Sequence, residues 1–574
     1  DRSGMRGMLE VDISDDTSML VIAEQYQAED ECCADLELLP SGRHPDSEAV
    51  PNSEGVVDDV ADLDMDLRKV DHDLTTVTLD DHTALSVQFN TSWGDNELTS
   101  ITAYRSWDNT EIREGDFTST AGDSSAAVNF STVPFQLHDI GPQEWRQFSQ
   151  ELRLASPVGN ALEYQLGAFY WNIESERNFT RDASCQNNGG QLNQAMEWYA
   201  NETLTGDALT AALADLDAYA VAEGVTCNAN DIVSATAYMS TEFNNWALFG
   251  EGKYSINDDM RVLFGLRYTD DEVSYSHNRY SNDQYGRRGV GVRPATENTN
   301  FNGSTSETNV SGKLGLQMDV NDNTMVYATA SQGYKGPGYN VYYNFKANGD
   351  DSAPISEETS NSLELGYKYT SGNLILNAAY FQTDISDFQA NNFDCSDGTC
   401  ITRLTNAGDV TTDGIEVDFT WRPMENLTLS GGLASVKAEI DEFNCPADAT
   451  SCSARSGLPV PFAPDLKYSM MAEYLIPGDD MDIIINGSFV HTDEQVADLP
   501  GNDGSQNPAA LLPEYDMLNA SIGFSFDDDR YRISLVGKNL TDESYVTTYS
   551  GDGFRYQVPR DAQRYFGAAF RASF

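Results

Sequence analysis

The sequence lacks any run of about 18 apolar residues, the length that a helix needs to cross a bilayer. Hydrophobic residues make up 40% of the 574 residues, and the mean hydropathy is −0.46. These numbers exclude a helical membrane protein. They leave room for a transmembrane β-barrel, because each of its strands needs only about 9–11 residues with apolar side chains on one face.

Basic residues are also scarce. The chain has 34 Lys and Arg against 92 Asp and Glu, which gives a formal net charge of −58. Such a surface repels the phosphate backbone of nucleic acids, so we exclude a nucleic-acid partner. We interpret the acidity as an adaptation of exposed loops to salty surroundings, with collection of cations as the alternative.

Sequence motifs of enzymes are missing as well. We find no GxSxG elbow, no HExxH helix and no phosphate-binding glycine loop, and we therefore predict that the protein is not an enzyme and needs no cofactor. The chain begins at Asp1 without an initiator methionine or a signal sequence. We accordingly expect its export to be specified upstream.

The eight cysteines lie in polar stretches, and none belongs to a paired CxxC motif. An even number favours disulfides in an oxidising compartment, with zinc as the rival interpretation. Because the six histidines are scattered, we predict no metal site. The predicted pairs are Cys185 with Cys227, Cys395 with Cys400, and Cys445 with Cys452, whereas the state of Cys32 and Cys33 is left open.

Apolar and polar residues alternate with a period of two in segments along the whole chain, which is the pattern of a β-strand. In one of these segments Leu363 and Leu365 fall on one face, and Glu364 and Lys368 fall on the other. The clearest segments are 261–268, 362–369 and 518–526.

Between these segments, short polar turns alternate with long polar loops. A soluble sandwich can have loops of similar length at both ends, whereas an outer-membrane barrel has short turns at one end and long loops at the other. We therefore predict an all-β fold, a large antiparallel transmembrane β-barrel of about nineteen strands. Short turns would face the periplasm, long loops the outside, polar residues the lumen and apolar residues the lipid.

One long loop is expected to contain its own structure. Within residues 177–240, Leu209, Leu213 and Leu216 fall on one face of a predicted short helix. The flanking Cys185 and Cys227 would close this extracellular loop with a disulfide.

The last segment, 565–574, is an alternating strand that places Phe570 and Phe574 on one face. A final aromatic residue in such a strand resembles the signal by which outer-membrane proteins are recognised for barrel assembly. The alternative is an ordinary edge strand, which would expose a long apolar edge to water.

Six segments, in the family's order, resemble the barrels of TonB-dependent outer-membrane receptors. The likeness covers nearly the whole chain and is weakest in the long loops. These segments are ITAYRSWD from Ile101, FSQELRLASP from Phe148, YQLGAFYW from Tyr164, ASQGYKGPGYN from Ala330, ETSNSLELGYK from Glu358 and GKNLTDESYV from Gly537.

The resemblance implies a barrel of about twenty-two strands whose lumen is blocked by an amino-terminal plug. We find neither a plug nor a coupling segment in this chain, and about three strands fewer. Residues 1–574 are therefore expected to be an amino-terminally truncated barrel domain in which 7–13 is the fourth strand. Its two terminal strands would be free edges, unless the first and last strands pair in parallel.

The best candidate for ligand binding is the loop that begins at Tyr334. Aromatic faces stack on sugars, siderophores or cobalamin-like rings at low entropic cost. The alternative is an aromatic girdle at the membrane interface together with ordinary loop packing. The candidate ligand-binding residues are Tyr334, Tyr339, Asn340, Tyr342, Tyr343 and Phe345.

We thus expect a receptor in the outer membrane of a Gram-negative bacterium for TonB-energised uptake of a scarce nutrient, first of all an iron–siderophore-type complex. Its partners would be outer-membrane lipid, a small-molecule ligand such as a metal chelate, and the TonB energy-coupling complex, which would act through the missing amino-terminal region. Carbohydrate or vitamin import, a passive porin and a surface adhesion barrel are the alternatives.

Overall fold

The described residues of the computed structural model form β-strands, apart from turns and the short 3-10 turn Ser453–Arg455. No helix in this part of the chain is long and apolar enough to cross a membrane. The described ranges are 1–31, 36–37, 74–114, 135–185, 232–281, 295, 298–343, 345, 353–394, 401–444, 453–500, 504–505, 510–527, 529–549, 555–559 and 562–573.

Nineteen long strands form one sheet. They are β1 Arg2–Ser14, β2 Thr17–Asp30, β3 Val77–Trp93, β4 Asn96–Glu114, β5 Phe135–Ala155, β6 Leu162–Cys185, β7 Ile232–Ser255, β8 Met260–Ser281, β9 Thr299–Asn321, β10 Thr324–Lys335, β11 Glu358–Thr370, β12 Leu374–Ser386, β13 Gly408–Met424, β14 Leu427–Phe443, β15 Leu466–Ile476, β16 Met481–Thr492, β17 Tyr515–Phe526, β18 Tyr531–Lys538 and β19 Tyr565–Ala572.

Each of these strands pairs antiparallel with the next one in the chain. The sheet is therefore an up-and-down meander. Shorter strand pairs lie in the loops, among them the hairpin of Gln389–Asp394 with Ile401–Asn406. The predicted all-β antiparallel architecture of about nineteen strands is confirmed.

The two faces of β11 differ as the alternation predicts. Leu363 and Leu365 are 63% and 58% exposed on one face. On the other face, Glu364 accepts a hydrogen bond of 2.5 Å from the hydroxyl of Tyr327, and the Lys368 ammonium lies 5.8 Å from the centre of the same ring. An exposed apolar face opposite a polar one is the arrangement of a barrel in lipid.

β8 has the same division. Phe264 and Leu266 are 41% and 67% exposed on its apolar face. On its polar face, Arg261 pairs with Asp319 at 2.6 Å, and the Arg267 guanidinium lies 5.7 Å from the centre of the Phe249 ring. We take the polar face as the inner face of the barrel.

The turns at the end that we assign to the periplasm are short. Between β7 and β8, the Asn257 side chain accepts hydrogen bonds from the backbone amides of Asp259 and Met260, at 2.9 and 2.8 Å. Between β3 and β4, Gly94 has a φ of 67°, which a residue without Cβ adopts at low cost. These local bonds fix where each hairpin reverses.

Several strands run further towards the outside than the sequence predicts. β6 continues to Cys185 and β7 begins at Ile232, so both ends of the predicted loop 177–240 belong to strands. The alternation continues there because the inner residues pack against another segment of the chain, described below. The predicted helix lies outside the described residues.

The cysteine predictions also lie outside the described residues, except that the backbone of Cys185 pairs with Phe135. The proposed disulfides therefore stay predictions. The positions outside the described residues are Cys32, Cys33, Cys227, Cys395, Cys400, Cys445, Cys452 and Phe574.

The sheet has two free edges. β1 begins at Arg2, earlier than the predicted 7–13, and pairs with β2, whereas β19 pairs with β18. Met5 and Phe566 on these edges are 75% and 74% exposed. Within the described residues no ladder joins β1 to β19, so the predicted free edges are confirmed and parallel pairing is not observed.

Candidate functional site

The extracellular parts of β6, β8 and β9 form what we call the inner wall, a row of inward-facing side chains beyond the level of the membrane. It includes Phe179, Tyr275, His277, Arg279 and Phe301. Tyr275 is 5% exposed, Arg279 is 1% exposed and His277 is fully buried. Another part of the chain must therefore cover these side chains.

The cover is the segment 334–345, which we call the aromatic segment, and which includes all the candidate ligand-binding residues. The Phe345 ring is fully buried, with its centre 4.9 Å from that of His277 and 5.6 Å from that of Phe301. The Tyr339 ring lies 4.5 Å from Tyr275. The segment thus folds back against the inner wall.

Polar groups of the inner wall bind the backbone of the aromatic segment. Nε2 of His277 lies 3.1 Å from the Tyr342 carbonyl oxygen, and Nδ1 lies 2.7 Å from the Thr299 hydroxyl. Because the carbonyl only accepts, Nε2 carries the proton. Arg279 donates from Nη1 to the carbonyl oxygens of Tyr343 and Phe345, at 2.8 and 3.0 Å.

Burial, together with the Arg279 charge, lowers the pKa of His277 to about 4. The imidazole is therefore neutral at physiological pH. A neutral ring fits this site, because it donates one hydrogen bond to Tyr342 and accepts one from Thr299.

A second contact holds the same segment from the side of β6. The rings of Phe179 and Tyr343 lie 5.0 Å apart, and the Arg181 guanidinium lies 5.9 Å from the centre of the Tyr343 ring. Arg181 is itself fixed by two bonds to the Asp139 carboxylate, at 2.7 and 2.6 Å. A bidentate pair of this kind is rigid, so it orients the guanidinium towards Tyr343.

The opposite side of the aromatic segment is bound to the 389–406 hairpin. The side chain of Asn340 exchanges two hydrogen bonds with the backbone of Leu404, at 2.6 and 2.9 Å. Gln389 donates from Nε2 to the carbonyl oxygens of Gly336 and Ser356, at 3.0 and 2.8 Å. The aromatic segment therefore bridges two extracellular parts of the barrel.

The structure divides the candidate ligand-binding residues into two groups. Tyr343 and Phe345 are 8% and 0% exposed, and their side chains are used in packing, as the alternative of ordinary loop packing expects. The others keep partial exposure and can offer contacts to a ligand. These are Tyr334, Tyr339, Asn340 and Tyr342.

The sequence reasoning missed the inner wall. Tyr275, His277 and Arg279 lie beyond the segment 261–268 in which the alternation was clearest, although they continue the inward alternation of Arg267. That continued period of two was the available signal.

A cluster of possible metal ligands occurs at the end of β16. Ligand atoms of His491, Asp493 and Glu514 lie within 4.8 Å of one another. Both ring nitrogens of His491 are already in contact with carboxylates, Asp493 at 2.8 Å and Asp516 at 2.7 Å. We therefore interpret the cluster as an ion-pair network.

A family model for the TonB dependent receptor-like β-barrel matches residues 40–540. The pesticin receptor of Yersinia pestis is 27% identical over 191 residues, which are 33% of this chain and 25% of that protein. The ferric-pyoverdine M114 receptor PbuA of Pseudomonas sp. is 25% identical over 329 residues, 56% of this chain and 36% of that one. The matched regions thus span about a quarter to a third of these curated relatives.

Solved structures show the same fold. The ferric yersiniabactin uptake receptor FyuA from Yersinia pestis has a TM-score of 0.69 and 18% identity, over 100% of this chain and 71% of that one. The siderophore receptor PiuA from Acinetobacter baumannii has a TM-score of 0.65 and 12% identity, over 99% and 73%. Taken with the family model, these similarities show that the chain belongs to the TonB-dependent receptor β-barrels, which lie in the outer membrane of Gram-negative bacteria.

Proposed function

We propose that this chain is the barrel of a receptor that imports an iron–siderophore-type complex with energy from the TonB complex. Family membership supports the transport mechanism, and the names of the pyoverdine and yersiniabactin receptors support the ligand class. The observation that carries the proposal is the aromatic segment, which is anchored on the inner wall at the extracellular mouth. It is where a ligand arriving from outside would first meet the lumen.

Tyr334, Tyr339, Asn340 and Tyr342 are the ligand contacts in this proposal. Tyr339 and Tyr342 are partly exposed, so parts of their rings remain available for contact with a chelate. The bonds from His277 and Arg279 fix the backbone beneath them, so little conformational entropy is lost when a ligand binds.

Two further parts of the proposal concern assembly and partners. Phe570, which is 68% exposed on β19, and Phe574 would form the barrel-assembly signal. The exposed apolar face, represented by Leu363, would contact outer-membrane lipid, and the TonB complex would supply energy as it does to other members of the family.

Uptake by a deletion strain of the source bacterium tests the proposal. In iron-restricted medium, the restored intact gene should support growth and uptake of radioactive iron from one class of ferric siderophore. Tyr339→Ala should weaken uptake, whereas Tyr367→Ala, an aromatic residue on the lipid face, should not. Dependence of vitamin or oligosaccharide uptake on the gene, with no effect on any iron complex, would overturn the ligand class.

A further inference from the structure

Arg455 ends the short 3-10 turn that follows β14, and none of the residues that the structure describes gives its buried side chain a charged partner. It is 4% exposed. Among the described residues, none accepts a hydrogen bond from its Nε or Nη1 atom. Burial lowers the pKa of Arg455, and no described carboxylate opposes that effect.

Two other guanidinium groups at the extracellular mouth have hydrogen-bonded partners. Arg181 binds Asp139 through two hydrogen bonds, and Arg279 binds two backbone carbonyl oxygens. Among the described residues, the contact that Arg455 makes is with the face of Phe443, with the guanidinium carbon 3.9 Å from the ring centre. Stacking of this kind offsets only a small part of the hydration free energy that a buried cation loses. An anion would supply the charged partner that the described residues do not provide.

The surroundings of Arg455 place it on the inner side of the extracellular mouth. Phe443 packs in an apolar cluster with Ala407, Val410 and Ile440. Along β13, Val410 lies on the face opposite Ile415, which is 49% exposed on the lipid side. The cluster therefore faces inwards.

Hydrogen bonds connect this cluster with the aromatic segment. Asn444, next to Phe443, donates from Nδ2 to the carbonyl oxygen of Asn406 at 2.9 Å. Asn406 lies in the same short strand as Leu404, whose backbone binds Asn340. The short strand that contains Leu404 and Asn406 thus connects the aromatic segment with the part of the mouth that contains Arg455.

We propose that Arg455, presented on the ring of Phe443, is an anion site that binds a carboxylate group of the imported chelate. The inference rests on the proposed function and narrows its substrate to carboxylate-bearing iron complexes. A guanidinium suits this role, because it stays protonated and binds carboxylates with strong, directional hydrogen bonds.

Access requires a local rearrangement. Gly504 lies against the turn so closely that an added Cβ would be 2.6 Å from the Ala454 carbonyl oxygen. The turn itself is held to β14 by the bond from the Gly457 amide to the Ile440 carbonyl oxygen, at 2.7 Å. In the proposal the turn moves away from Gly504 and exposes the guanidinium, and pairing with the anion offsets the lost contacts.

Stability measurements on the full chain in detergent test the anion site alone. Arg455→Met keeps the volume and removes the charge, so its unfolding midpoint should equal or exceed that of the wild type. Arg181→Met should lower the midpoint, because it leaves Asp139 unpaired. Iron-free citrate should stabilise the wild type but not Arg455→Met, and equal stabilisation of both would overturn the anion site.

Binding measurements with two iron complexes complete the test. Ferric citrate should bind Arg455→Met at least about tenfold more weakly than the wild type, with partial recovery in Arg455→Lys. A ferric trihydroxamate without carboxylates should bind both proteins equally. Equal binding of ferric citrate to both overturns the role of Arg455. If citrate stabilises the wild type but the gene supports no iron uptake, the proposed function fails while the anion site stands.

Discussion

His277 is the residue whose protonation state most directly affects the aromatic segment. Its pKa is lowered from 6.5 to about 4, so the folded protein binds this proton less readily than the unfolded chain does. Its contribution to stability is complete above pH 6.5 and is lost progressively as the pH falls towards 4. The protection factors of residues 336–343, which correct for the intrinsic pH dependence of amide exchange, should therefore fall over this acidic range.

The control is His277→Gln, which does not titrate. Its exchange should be faster than that of the wild type at neutral pH and should depend less on pH between 6.5 and 4. Wild-type protection factors that stay constant, or that rise on acidification, would contradict the neutral histidine.

Phe345 is the other residue on which the anchoring depends. Its ring is fully buried among His277, Tyr275 and Phe301. Phe345→Ala should weaken the anchoring by about 3–5 kcal/mol, because it removes apolar contacts and leaves a cavity. Tryptic cleavage near Lys335 should become faster. Phe566→Ala, on an exposed edge, should leave this cleavage unchanged.

At the scale of elements, β11 offers a test of the two faces of the sheet. Leu363 is 63% exposed and lies seven positions from the periplasmic end of its strand at Thr370. Leu363→Arg should lower the free energy of unfolding in bilayers by about 2–4 kcal/mol, because it places a cation in lipid. Ser331→Arg, on the inward face of the neighbouring strand, should be tolerated. Folding yields into vesicles would show whether the two variants differ in this direction.

The free edges of the sheet lead to a second prediction, which concerns hydrogen exchange in the terminal strands. Backbone amides of β1 and β19 that point away from β2 and β18 have no strand partner in the described sheet. For the 574-residue chain in detergent, they should exchange faster than the amides of β7 and β8. Protection of β1 and β19 to the level of β8 would mean that the two edges pair with each other.

The strands could be predicted from the sequence because the polarity of each side chain indicates which face of the strand it occupies. The alternation around Leu363 and Phe264 gave the correct faces without any knowledge of distant residues. Loop limits were less accurate. The stretch from Val273 to Arg279 reads as polar sequence, and only the packing of the aromatic segment shows that it is an inner face.

The contacts of the candidate site could not be predicted in the same way. The bond between Asn340 and Leu404 joins residues 64 positions apart, and the bonds of His277 and Arg279 end on backbone carbonyl groups that have no sequence signature. The sequence pointed to the aromatic segment as a candidate but could not tell that Phe345 is buried and Tyr339 is partly exposed.

The whole molecule combines an apolar outer face, a polar inner face and an extracellular mouth that carries the aromatic segment. The acidic net charge of −58 bears on the mouth, because an anionic ligand would meet repulsion unless a local cation such as Arg455 attracts it. Family membership and this arrangement together support the proposed receptor for a metal chelate.

The position of the iron in a complex shows whether the ligand binds at the aromatic segment. The intact receptor should be crystallised with the ferric siderophore that supports growth, and anomalous diffraction should be measured at the iron absorption edge. We expect an iron peak inside the extracellular mouth, with the chelate in contact with Tyr339 or Asn340. A peak on the lipid-facing side, or a bound chelate that leaves the aromatic segment untouched, would contradict it.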